Sequence, residues 1–218
     1  MTEPRDPELP GLLLRTERDL FVPLLRDASD RDFELRTACP GWTVRDVLAH
    51  CGAALNRVVE GRFERGVFSP ESNDRDIADR AGWTNTQVVD ELERGMTGAG
   101  PVIAASGGAM DGIALGEWVH AGDVREAFGL RGAYEGPGLG PALALLAAVT
   151  RARETLPLTA RLTGATTELT LGARRDDRKP ARYAGDGATL IRLYAGRPLT
   201  GTRYELDGAR ESELNIFD

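Results

Sequence analysis

Thr43-Val44-Arg45-Asp46-Val47-Leu48-Ala49-His50-Cys51-Gly52-Ala53-Ala54-Leu55-Asn56-Arg57-Val58-Val59 is the stretch whose pattern decides the fold. Val44, Val47, Leu48, Cys51, Leu55, Val58 and Val59 recur at steps of three and four, which lines one face of an α-helix with apolar side chains. Thr43 is placed to cap that helix. His50 follows Val47 and precedes Ala54 at the same helical steps, so it lies on or beside the buried face and not with Arg45 and Arg57. A second stretch, Ile113 to Phe128, is built alike. Ile113, Gly116 or Glu117, His120, Val124 and Ala127 form its stripe, and Gly129 is a C-terminal stop. His50 and His120 are the only two histidines in the 218 residues. Imidazole is the commonest protein ligand for zinc, and a carboxylate readily completes such a site. Two imidazoles in such similar settings therefore raise a shared metal ion, against the alternative of two unrelated polar residues at helix edges.

Outward from these two helices, most of the chain before Pro157 is helical in pattern. Leu12 to Leu25 carries Leu13, Leu20 and Leu24 on a helical period, with Pro23 as a kink or late break. Asp32 to Gly41 is loop-like and ends in the turn formers Cys39-Pro40-Gly41. Ser69 to Asp79 is polar with room for a short helix, and Thr84-Asn85-Thr86 caps a helix through Val88, Val89, Leu92 and Met96. A break is expected near Gly107-Gly108. Pro141 to Leu156 is a strongly apolar helix. Long amphipathic helices with small connectors predict an antiparallel four-helix bundle.

After Pro157 the texture changes. Leu158-Thr159-Ala160-Arg161-Leu162-Thr163 and Thr167-Glu168-Leu169-Thr170-Leu171 alternate apolar and polar residues across Gly164-Ala165, a hairpin signal. Arg174 to Lys179 is a charged turn, Gly187 to Tyr194 a short helix, and Tyr204 to Gly208 a further strand. The expected organisation is a helical domain over residues 1–156 and a small α+β domain over 157–218, mainly α overall.

Composition narrows the function classes. The formal net charge is −7, which argues against the clustered basic face that a nucleic-acid partner needs. No apolar stretch reaches the length of a membrane span, and the N-terminus lacks the apolar core of a signal peptide, so the expected location is the cytoplasm. Two cysteines, Cys39 and Cys51, are too few for a disulfide scaffold. The chain contains no glycine-rich phosphate loop, dinucleotide fingerprint or nucleophile elbow.

Cys39-Pro40-Gly41-Trp42-Thr43-Val44-Arg45-Asp46-Val47-Leu48-Ala49-His50 resembles the opening motif of the mycothiol-dependent maleylpyruvate isomerase family, which are DinB-like four-helix metal proteins. Leu115 to Arg125 resembles that family's second metal segment, a carboxylate and a histidine followed by the Asp-Val-Arg of 123–125. Tyr183 to Gly187 and Leu193 to Arg197 are similar to its small C-terminal domain. The resemblance implies a DinB-like bundle, a divalent metal with zinc expected, mycothiol as the thiol cofactor, and a small electrophilic substrate. In one respect the chain departs from the pattern. The family's carboxylate stands four residues before the histidine, where this chain has Gly116, and Glu117 stands three before His120. Both spacings share a helix face, but the ligand direction turns by roughly 100°, one helical step. Glu117 is the expected third ligand beside His50 and His120, with Asp123 or water as alternatives.

Other residues carry two readings each. Asp46 is either an acceptor that orients His50 or an early-turn acid favoured by the helix dipole. Cys51 reads as a small core residue, and Trp42 and Trp118 as core anchors. Cys39, beside proline, is open to exposure and reactivity, but no basic neighbour in sequence lowers its pKa. Arg197 is the candidate to hold a carboxylate of an anionic thiol cofactor, against a solvated loop arginine. The functional expectation is a metal-dependent isomerase or thiol S-transferase. The alternative is a non-catalytic metal- or small-molecule-binding bundle. Oligomeric state is left open.

Overall fold

The computed structural model describes residues 5–63, 67, 69–175 and 178–217. It divides into two compact units, one over Asp6–Tyr134 and the other containing Glu135 onward. The change of periodicity at Pro157 falls inside the second unit, because the apolar helix before it packs with the sheet that follows.

The first unit is a bundle of α1 (Leu9–Asp27), α2 (Val44–Val59), α4 (Asn85–Ala105) and α5 (Asp111–Ala127), with a shorter α3 (Pro70–Asp79) against α2. Helix starts follow local chemistry. Thr43 accepts from the Asp46 amide while the Asp46 carboxylate accepts from the Thr43 amide at 2.9 Å, a reciprocal cap. Thr84 and Gln87 do the same for α4. Asp46 is thereby spent on the helix start, the second of its two sequence readings. Helix α4 runs through Pro101 and ends before Gly107 and Gly108, whose φ values of 67° and 105° suit glycine.

Leu13, Leu14, Phe21, Leu48, Leu55, Leu92, Met96, Ile103, Leu115 and Trp118 fill the bundle core. Charges buried among them are paired: Glu17 with Arg125, Arg57 with Asp76 at 2.6 Å, and Arg80 with Glu91. Each pair ties two helices together, and removal of one partner would leave an uncompensated buried charge.

Helices α1 and α4 touch through glycine. A Cβ built on Gly100 would lie 2.9 Å from the Cα of Gly11, so a side chain at position 100 runs into main chain. Gly100→Ala gains about 1 kcal/mol of helix propensity but must push two backbones apart, an overpacking cost of about 1–3 kcal/mol. Since the obstacle is main chain, the expected net result is destabilisation, read as a melting temperature lower by several degrees. A rise would show that the helices can part freely.

The second unit holds α6 (Leu139–Ala152), β1 (Leu158–Leu162), β2 (Leu169–Leu171), β3 (Ala181–Gly185), α7 (Gly187–Tyr194) and β4 (Tyr204–Asp207). Strand order is β2-β1-β3-β4, with β1 antiparallel to β2, parallel to β3, and β3 antiparallel to β4. The 158–171 hairpin, α7 and β4 match the sequence expectation; β3, central in the sheet, has no counterpart in it. Asp186 caps α7 by accepting from the Thr189 amide at 2.7 Å. Leu158, Ala160, Leu171, Ala181, Tyr183, Leu190 and Tyr194 form this unit's core, and α6 packs on β2 and α7. The expected charged turn at 174–179 lies partly outside the described residues. Among the described residues, no helix is long and apolar enough to cross a membrane.

Candidate metal centre

The turn that feeds α2 brings the first set of side chains into place. Pro40 and Gly41 sit between Cys39 and Trp42, the Trp42 amide donates to the Cys39 carbonyl at 3.1 Å, and Gly41 has φ 83°. That is the pattern of a turn that wants proline second and glycine third. The Cys39 amide donates to Thr37 Oγ1 at 3.2 Å, and the Thr37 amide to the Trp42 carbonyl at 3.1 Å. With its backbone so fixed, Cys39 is only 6% exposed. Its side chain is buried, so the exposed, reactive cysteine considered from sequence is corrected here.

Helix α5 supplies the other side. Cys39 Sγ donates to Asp123 Oδ2 at 3.1 Å and lies 3.5 Å from His120 Nδ1, while His120 Nδ1 and Asp123 Oδ2 are 3.2 Å apart. Among the described residues, Cys39, His120 and Asp123 are the group whose ligand atoms all lie within 4.8 Å of one another. Asp123 is fully buried, and its other oxygen, Oδ1, accepts from the Tyr134 hydroxyl at 2.5 Å.

The His50 ring stands 5.4 Å from the His120 ring, centroid to centroid, nearly edge-on at 80°. Two imidazoles on one tetrahedral ion, with nitrogen at about 2.1 Å, put their centroids about 5 Å apart. The centroid spacing matches that figure, while no His50 nitrogen joins the Cys39, His120 and Asp123 atoms within 4.8 Å. Trp42 lies against both rings, at 5.1 Å from His50 and 6.3 Å from His120. It is therefore a wall of the cluster as well as a packing residue, unlike Trp118, which is wholly in the core.

Burial, with smaller contributions from His120 and Arg57, pushes the His50 pKa down to about 3. The ring is thus neutral, the form that binds metal. Its Nδ1 is buried with no hydrogen-bond partner among the described residues. A nitrogen so placed is costly by about 1–3 kcal/mol and fits a ring whose proper partner is an ion. Sulfur, nitrogen and carboxylate donors within reach of one point also fit zinc, which accepts all three.

Glu117 lies deeper. Burial pushes its carboxyl up to about 8, opposed by a hydrogen bond from the Cys51 thiol, and its Oε2 is buried without a partner among the described residues. The Cys51 thiol is itself pushed well up by burial and then by Glu117, so it stays protonated. Glu117 shares α5 with His120, and the carboxylate within 3.2 Å of His120 Nδ1 is that of Asp123. Arg197 belongs to the other unit, in the turn after α7, where Nη1 donates to the Ala195 carbonyl at 3.0 Å.

Residues 14–157 match the model of the mycothiol maleylpyruvate isomerase N-terminal domain. The chain belongs to that family. Among solved structures it is similar to a histidine-to-alanine mutant of the mycothiol-dependent maleylpyruvate isomerase, at 17% identity and a TM-score of 0.57, covering 92% of this chain and 93% of that one. It is likewise similar to the mycothiol-dependent maleylpyruvate isomerase at 18% identity and a TM-score of 0.53, with the same coverage of 92% and 93%. At such identities the likeness is one of fold. The sequence matches no curated protein.

Proposed function

We propose that the protein is a metal-dependent enzyme that uses a small thiol of the mycothiol type on a small electrophilic substrate, as an isomerase or thiol S-transferase. The observation that carries this reading is the meeting of His50 and His120 at the spacing of a shared ion, in a chain of this family. The two imidazoles would hold the ion together with a carboxylate, and zinc is the metal this donor set favours. When bound, such an ion lowers the pKa of a thiol beside it, so that thiolate is available near neutral pH.

The chain's own residues set up that chemistry. Burial keeps His50 neutral. Tyr134 holds Asp123 by Oδ1 and so aims Oδ2 at His120. The Trp42 ring packs against both imidazoles. Glu117, protonated at neutral pH, adds no charge to the cluster.

Two measurements test the reading. Protein purified without an affinity tag should convert maleylpyruvate, or another small electrophile, only when mycothiol is present, and His120→Ala should abolish the turnover. Metal affinity should fall by at least about 10- to 100-fold in Asp123→Asn and by less in Glu117→Gln, because Asp123 Oδ2 is the carboxylate oxygen 3.2 Å from His120. The reverse order would return the ligand role to Glu117. A second reading, a non-catalytic metal-binding bundle, is favoured by Gly116 at the place of the family's carboxylate. A protein that binds one ion per chain yet shows no thiol-dependent turnover would take that reading.

A further inference from the structure

We propose that Cys39 is a metal ligand, so that the ion is held by a thiolate from the turn before α2 as well as by imidazole and carboxylate. This rests on the metal-binding reading above. A tetrahedral zinc ion with sulfur at about 2.3 Å and nitrogen or oxygen at about 2.1 Å has ligand–ligand edges of about 3.3–3.6 Å. The three edges found are 3.5 Å for Cys39 Sγ to His120 Nδ1, 3.1 Å for Cys39 Sγ to Asp123 Oδ2, and 3.2 Å for His120 Nδ1 to Asp123 Oδ2. The triangle needs only a slight expansion to sit on an ion. Hydrogen bonding alone explains the thiol-to-carboxylate contact, but it leaves the neighbouring imidazole unexplained. The His50 ring stands 5.4 Å from the His120 ring, centroid to centroid, with Nδ1 buried and no hydrogen-bond partner among the described residues. No His50 nitrogen joins the 4.8 Å group, so His50 reaches a fourth corner only by moving inward.

Charge and rigidity point the same way. One thiolate, one carboxylate and two neutral imidazoles balance a divalent cation, so the buried site carries no net charge. The Cys39 backbone is pinned by the turn to Trp42 and by Thr37, which fixes the sulfur before the ion arrives. On binding, the Cys39 S–H bond is replaced by a sulfur–metal bond and the proton leaves to solvent. The metal selected is zinc or a similar borderline ion, not magnesium or calcium, whose preference is for oxygen. With four donors from the chain, an incoming thiol must expand the coordination to five or displace one of them.

X-ray absorption at the zinc edge of the full-length, zinc-loaded protein tests this without reference to activity. One sulfur scatterer near about 2.3 Å, beside nitrogen or oxygen near about 2.0–2.1 Å, is expected in the wild type. It should persist in Cys51→Ala, which removes the only other cysteine, and vanish in Cys39→Ser. The affinity of Cys39→Ser for zinc should fall by more than the roughly 10- to 100-fold that loss of an outer partner costs. Should Cys39→Ser fail to fold, the Cys51→Ala spectrum decides. A bound ion with only nitrogen and oxygen neighbours, or a sulfur that disappears with Cys51, overturns the Cys39 ligand and leaves the histidine-held centre standing. A protein that binds no zinc at all overturns both.

Discussion

His50→Ala and His120→Ala should each leave the protein without stoichiometric metal after dialysis, while the helical circular dichroism signal of the bundle persists. The two rings come from different helices, α2 and α5, and meet at a centroid distance of 5.4 Å. If they share an ion, loss of either removes a direct bond. The effect should exceed the roughly 10- to 100-fold cost of losing an outer partner. A fall of about a thousandfold, or about 4 kcal/mol, is expected. The fold should tolerate both changes. His50 has no hydrogen bond at Nδ1 to lose, and His120 keeps contact with solvent. Metal analysis of untagged wild type against both variants is the measurement. If His50→Ala keeps full occupancy while His120→Ala loses it, the two-histidine centre fails and the ion belongs to Cys39, His120 and Asp123 alone.

The parts of this site that were legible in the sequence are those that local periodicity controls. The stripe of Val44, Val47, Leu48, Cys51 and Leu55 places His50 on the inner edge of α2, and the Ile113–Phe128 stripe does the same for His120. Thr43 and Thr84 announce their helices because a hydroxyl before an apolar-periodic run has an orphan amide to satisfy. Cys39 was not legible in this way. Its neighbours His120 and Asp123 are 81 and 84 residues away in the chain, and only the packing of the 39–42 turn on α5 brings them together. The choice between Glu117 and Asp123 is equally non-local. Both lie three residues from His120 on a shared face, and the contacts that separate them come from Cys51 on α2 and Tyr134 beyond α5. Strand β3 escaped for a related reason. Ala181-Arg182-Tyr183-Ala184-Gly185 is short, with small residues and a terminal glycine, and it becomes a strand by pairing with β1 and β4 on its two sides. Its own β-propensity contributes little.

Gly122→Ala should damage both the fold and the metal centre, because the glycine sits where the two meet. It lies on α5 between His120 and Asp123, and a Cβ built there would come inside 3.0 Å of Cδ1, Cε1 and Cγ of Tyr134. The tyrosine ring therefore rests directly on the helix backbone, and it cannot stay once a methyl group is added. Overpacking of this kind costs about 1–3 kcal/mol. The displaced hydroxyl also gives up its 2.5 Å bond to Asp123 Oδ1, and a hydrogen bond to a charged group is worth about 1.5–3 kcal/mol. A total of roughly 3–5 kcal/mol is expected from denaturant unfolding, together with a drop in metal affinity of about 10- to 100-fold, since Asp123 loses the partner that aims it. Tyr134→Phe separates the two contributions: it keeps the ring and removes only the hydroxyl, so stability should fall by the hydrogen-bond contribution alone while metal affinity falls nearly as far as in Gly122→Ala. The double variant Gly122→Ala/Tyr134→Ala, in which the ring is gone, should be less destabilised than the sum of its single changes, because the clash exists only when methyl and ring are both present. Strict additivity in that cycle, or a Gly122→Ala protein as stable as wild type, would show that the ring has room to move. The carboxylate would then owe its aim to the metal and to Cys39, not to Tyr134.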